Sequence, residues 1–161
     1  VSPARRRKPS NLASSAEPTF LVRPTRAVDH RIRAADTPRS VRTAYADKYT
    51  ALQAHGCAAA DYRLSGAGAW PRFCVINLGY GYKLVLAFQD QHSIVLAHLD
   101  RHDQRTDPYA WLQEAFGLPD RSGHDGGHGN RVGCCADDGS PPVDRDLAEA
   151  LHSILGSRDR R

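Results

Sequence analysis

The sequence contains no methionine, even at position 1, so Val1 is not taken as the natural start. No apolar run reaches the length of a membrane span, and no signal-peptide core follows the basic start. The expectation is a cytoplasmic protein with no membrane partner. No phosphate-cradling glycine loop or dinucleotide fingerprint occurs; Gly79-Tyr80-Gly81 reads as a turn, and no cofactor is expected. Cysteine is scarce. Cys57, Cys74, Cys134 and Cys135 match no disulfide framework, and Cys74, inside a strand pattern, reads as a buried apolar side chain. His124, Asp125, His128, Cys134 and Cys135 are metal-ligand types, but adjacent cysteines rarely share one tetrahedral ion and the many glycines argue against a rigid cage. No metal site is expected; a metal-binding accessory role would have to rest on this tail.

What is present is concentrated in the middle of the chain. Residues 1–17 hold Arg5, Arg6, Arg7 and Lys8 against Glu17 and almost no large apolar groups, so they are expected to be a disordered basic tail. A domain is expected over residues 18–119, followed by a flexible tail over 120–161 with a short amphipathic helix at 144–155 through Leu147, Leu151, Ile154 and Leu155. The net charge of +4 owes most to the first tail, so the charge of the core is only weak support for a nucleic-acid partner.

Within the domain, Thr19–Arg23 is β-prone and stops at Pro24, and residues 25–35 read as helical. Thr37-Pro38 marks a second helix with Thr37 as N-cap; it runs to about Ala54 and stops at Gly56. Val41, Tyr45, Lys48, Tyr49 and Leu52 form its half-apolar face. The stretch from Ala60 to Ala69 reads as a loop. Three strands follow at 72–78, 82–88 and 93–99, joined by turns short enough to make them antiparallel. In the second, Tyr82, Leu84, Leu86 and Phe88 point one way and Lys83, Val85 and Ala87 the other. The bulky face should meet the helices, leaving Lys83 on a more open face. Asp107-Pro108 opens a last helix to Phe116, ended by Gly117.

The end of the third strand carries the chemistry. RNA cleavage without metal needs a base for the 2′-hydroxyl, cations for the phosphorane and an acid for the departing 5′-oxygen. Lys, Arg, His and Tyr suffice, and Arg72, Lys83, Arg101, His102, Arg105 and Tyr109 gather here. Histidine is the residue type best suited to acid–base work near neutrality, which singles out His102.

The order strand, two helices, three antiparallel strands and a closing helix resembles the RelE/ParE family of bacterial type II toxins. The run YRLSGAGAWPRFCVINLGYGYKLVLAFQDQHSIVLAHLDRHD, with Tyr109 downstream, is similar to that family's Leu-x-Gly loop, Tyr-Arg-type strand and Val-Leu-x-His-type strand. The resemblance covers about Thr19 to Leu118. It implies an α+β, microbial-RNase-like fold: a small antiparallel sheet with two N-terminal helices packed on it and a short C-terminal helix. It also implies a toxin that cuts mRNA in the ribosome without metal and is inhibited by a cognate antitoxin protein. Carried over residue by residue, Lys83, His102 and Tyr109 would be catalytic, and Arg63, Arg72, Arg101 and Arg105 would bind RNA. The family's loop lysines have no counterpart between Leu64 and Ala69, which implies a different substrate or a weakened nuclease. The alternative is a non-catalytic binding module on the same fold, either a gyrase-directed ParE-like toxin or an inactive relative.

Overall fold

In a computed structural model of the protein, the described residues are 19–103, 107–120 and 132–156. The chain is α+β, a five-stranded mixed sheet with four helices. The order along the chain is β1 (Leu21–Pro24), α1 (Arg26–Arg33), α2 (Arg39–His55), β2 (Tyr62–Arg63), β3 (Phe73–Gly79), β4 (Tyr82–Asp90), β5 (Ser93–Arg101), α3 (Pro108–Phe116) and α4 (Arg145–Gly156). The sheet order is β1-β5-β4-β3-β2. Tight turns make β3, β4 and β5 antiparallel neighbours, as expected. The sheet is not wholly antiparallel, because β1 runs parallel to β5. The whole helical layer separates these two strands, so no short loop fixes their relative direction.

Local chemistry accounts for the element ends. Pro24 cannot donate to a ladder, and the next residue, Thr25, turns the chain into α1. Its buried hydroxyl donates to the Ala97 carbonyl at 3.1 Å and accepts from Val28 N at 3.4 Å, so one side chain both caps α1 and fastens it to β5. Thr37 does not cap α2. Its hydroxyl donates instead to the Arg31 carbonyl at 2.7 Å, and Pro38 takes the capping position without a side-chain bond. At the other end, Gly56 stops α2 with φ 59°, and the Phe20 ring lies 2.6 Å from where a Cβ would be.

Both faces of the sheet are buried. On the first, Leu84, Leu86 and Phe88 of β4 meet Ile76, Ile94 and Leu96, covered by Val28 of α1 and by Val41 and Leu52 of α2. The second face was expected to be open. It is covered by α3 and α4, which set Tyr109, Leu112, Ala148 and Leu151 over Val75, Val85, Ala87, Val95 and Ala97. Small side chains on the sheet and on α4 let the helix come close, so the face that looks sparse in sequence is a packing surface.

The segment leading to α4 is held to the core by two disulfides, Cys57–Cys135 and Cys74–Cys134. Cys74 is buried in β3, as expected, but it is disulfide-bonded where the cysteine spacing had matched no disulfide framework. The two bonds also tie Cys134 and Cys135, read as part of a flexible tail, to the core, and the short helix expected at 144–155 is α4. The adjacent cysteines reach two separate partners, Cys135 bonding Cys57 after α2 and Cys134 bonding Cys74 on β3. The backbone joins in. Arg63 N donates to Val132 O at 2.8 Å, Val143 bridges Phe88, and Asp144 N donates to Phe88 O at 3.0 Å. The Asp144 carboxylate then accepts from Leu147 N and opens α4. Residues 1–17 and His124, Asp125 and His128 lie outside the described residues.

The sequence separations of the two bonds are 78 and 60 residues, and closing one loop of such size stabilises by about 4 kcal/mol in the chain-entropy account. The double substitution Cys74→Ser/Cys134→Ser should therefore lower the unfolding free energy by about 2–5 kcal/mol. Denaturant titration without reductant reads this, and peptide mapping of the non-reduced protein should recover both pairs.

Candidate functional site

The register of β4 sets one cation at the end of the second face. Lys83 stands between Asn77 of β3 and Asp100 of β5. Its ammonium donates to Asn77 Oδ1 at 2.8 Å and to the Tyr62 hydroxyl at 3.1 Å, and lies 5.6 Å from the Tyr62 ring centroid. The Tyr62 hydroxyl is 3.3 Å from that of Tyr109, and either oxygen can be the donor. Both tyrosines are buried and Lys83 is half-buried, so the two hydroxyls form a shielded pair that ends on a partly solvated ammonium. Asn77 is itself fixed, its backbone N–H donating to Asp61 Oδ2 at 2.7 Å.

Tyr109 is placed by α3. Asp107 is the N-cap, its carboxylate accepting from Tyr109 N at 2.9 Å, and Pro108 takes the first helical position. The His102 ring meets the Tyr109 ring edge-on at 5.2 Å, and its Nε2 lies 3.7 Å from Asp107 Oδ1. The backbone holds His102 in place by a 2.8 Å bond from its N–H to Gly81 O. Lys83, Tyr109 and His102, separated by up to 26 positions in the chain, thus stand in one connected group, with Tyr62 as the link.

The expected RNA-binding arginines fall differently. Arg101 pairs with Tyr82 in the ladder, is well exposed, and has its Nε 3.4 Å from Asp103 Oδ2 at the same sheet end. Arg63 does not join the cluster. It neighbours Cys74 in the ladder and donates to Cys134 O at 2.9 Å, while its buried Nε has no hydrogen-bond partner. Arg72 precedes β3 at the other end of the sheet and donates to Val143 O at 3.3 Å. These two hold the segment that leads to α4. Arg105 lies outside the described residues.

Comparisons with known proteins returned no matching family model, no matching curated protein and no matching solved structure.

Three participants escaped the sequence reading. Tyr62 sits in a two-residue strand within a stretch that reads as a loop, and the aromatic at 62 two before Leu64 was its only signal. Arg31 braces the site from the first face. It donates to Asp100 Oδ1 at 3.2 Å, Asp36 Oδ1 at 2.9 Å, Thr37 Oγ1 at 3.2 Å and the Tyr82 hydroxyl at 3.1 Å. His98, on β5, stacks flat on Trp111 of α3 with ring centroids 4.7 Å apart and planes within 4°. The chemistry available is a fixed ammonium for phosphate, phenols that can pass a proton, and an imidazole at the edge. Among the described residues no group of three His, Cys, Asp or Glu side chains is placed to hold a metal ion, and Cys134 and Cys135 are consumed by disulfides.

Burial lowers the His98 pKa from its ordinary 6.5; Asp100 opposes the shift and Arg31 adds to it. Its buried Nδ1 has no partner, which adds to the cost of charging the ring. The folded value lies below the unfolded one. The stability linked to this group is therefore complete above about pH 6.5 and is lost as pH falls through the folded value. The urea midpoint should drop between pH 7 and pH 5, and His98→Phe, which keeps a ring on Trp111, should flatten that dependence.

Proposed function

We propose that this protein is an endoribonuclease that cuts single RNA strands by metal-free acid–base chemistry. The observation that carries the reading is the Lys83–Tyr62–Tyr109 hydrogen-bond chain with His102 against Tyr109. Lys83 and Arg101 supply positive charge for the phosphate and the phosphorane. His102, at the accessible edge, exchanges protons with the 2′-hydroxyl or the 5′-oxygen. Tyr109 packs edge-on against His102 and orients it, and the Lys83 ammonium donates to the Tyr62 hydroxyl that is bonded to Tyr109. Element order adds partial support: β1, α1, α2, the antiparallel β3–β5 and α3 follow the order that the resemblance to the RelE/ParE toxins implies, while the parallel pairing of β1 and the added helix α4 depart from it. On that resemblance the target is mRNA on the ribosome and the partner is an antitoxin protein.

The two disulfides favour a second reading of where such an enzyme works. Structural disulfides persist in oxidising compartments and are uncommon in the cytosol. An exported nuclease acting on free RNA fits Cys57–Cys135 and Cys74–Cys134 better than a cytoplasmic one does. Among the described residues no helix is long and apolar enough to cross a membrane.

The test is cleavage of a naked single-stranded RNA and of mRNA in a translating extract, both with chelator present. Lys83→Ala and His102→Ala should each lower the rate by about 10²-fold or more, with melting temperatures within a few degrees of the parent. Cleavage only in the extract supports the toxin reading, and cleavage of naked RNA supports the exported one. No cleavage by the parent in either assay would leave the fold as a binding module, and cleavage unchanged in both variants would overturn the assignment to Lys83 and His102.

A further inference from the structure

The turn between β3 and β4 presents an aromatic side chain in an unfavourable backbone conformation. Tyr80 has φ 52°, and it is the only non-glycine with positive φ among the described residues. Its neighbours Gly79 and Gly81 have φ 86° and 77°. Left-handed backbone suits glycine and asparagine and is rare for bulky side chains. Nothing in the turn requires an aromatic. The Tyr80 side chain is 71% exposed, and it is the one aromatic among the large hydrophobic residues exposed on the described surface. An exposed ring held in a costly conformation, where a glycine or asparagine would relieve it, is a mark of function rather than of packing.

Its position says what the function is. Gly81 O accepts from His102 N at 2.8 Å, and Tyr82, two residues on from Tyr80, pairs with Arg101. Lys83 is three residues along the chain, so its Cα lies at most about 11 Å from that of Tyr80. The exposed Tyr80 thus sits in the turn at the sheet end that carries Lys83, Arg101 and His102. Resting on the nuclease reading above, we infer that Tyr80 is the base platform of that site: it stacks on an unpaired nucleobase while Lys83 and Arg101 hold the neighbouring phosphate. Stacking uses the flat face of the base, which single strands expose and an A-form duplex keeps within its own stack. The substrate class is thus single-stranded RNA with modest sequence preference, since every base has such a face.

Two substitutions separate stacking from fold. Tyr80→Asn removes the ring and suits the left-handed conformation; Tyr80→Trp keeps a stacking surface. Binding of a fluorescent single-stranded RNA and of a duplex of the same length is measured by anisotropy at one salt concentration, alongside thermal melting. Tyr80→Asn should weaken single-strand binding about tenfold or more, leave duplex binding unchanged, and melt no lower than the parent. Tyr80→Trp should keep the parent affinity. Equal single-strand affinity of Tyr80→Asn and the parent would overturn the platform. If that happens while Lys83→Ala still abolishes cleavage, only the platform falls. A parent that neither binds nor cuts RNA removes both readings.

Discussion

The pleat of β4 is the constraint on which the rest of the structure depends. Its even-numbered residues, Tyr82 to Phe88, carry the bulk that packs on α1 and α2. Its odd-numbered residues, Val85 and Ala87, are small enough for α3 and α4 to approach the opposite face. Lys83 belongs to the odd set but stands at the strand end, where it meets the Tyr62 hydroxyl that is bonded to Tyr109. A slip of one residue in register would exchange the two faces. It would put an ammonium among the leucines and the bulky set under α4. The packing that fixes the fold is thus the same packing that aims the cation.

A second constraint joins the ends of the domain. Cys134 and Cys135 take partners on β3 and after α2, and the chain between them and α4 is further held by the main chain and side chain of Arg63 and by Arg72. Once this segment is fixed, Asp144 begins α4 beside Phe88 and the helix falls across the second face. That burial excludes water from the far side of Tyr109 and Leu112. The acid–base group therefore rests on a floor that depends on residues distant from it in the chain, and its rigidity is tied to the oxidation of four cysteines.

The sequence made the local elements legible where periodicity was strong. The alternation in β4, the apolar face of α2 and the Asp107-Pro108 start of α3 all correspond to what the structure contains. Contacts set by the folded chain as a whole were not legible. Val85 and Ala87 read as an open face, because small residues signal equally a bare surface and a closely packed one. The cysteines read as unpaired, because pairing depends on where the chain returns and not on spacing. Arg63 and Arg72 read as phosphate contacts, since an arginine on a carbonyl and an arginine on a phosphate look alike in sequence. Tyr62 was hidden by the brevity of its strand, and Arg31 because its partners come from three separate stretches of chain.

A half-buried ammonium bonded to the first of two linked, buried phenols shares the site with a half-exposed imidazole, a set suited to activating the 2′-hydroxyl of RNA. Attack by that oxygen on the adjacent phosphorus breaks the bond to the 5′-oxygen, so the products carry the chemistry's signature. The most direct measurement is the identity of the new ends on a defined RNA cut in the presence of chelator. The account predicts a 2′,3′-cyclic phosphate on one fragment and a 5′-hydroxyl on the other. A 3′-hydroxyl with a 5′-phosphate, formed only when divalent metal is restored, would contradict it.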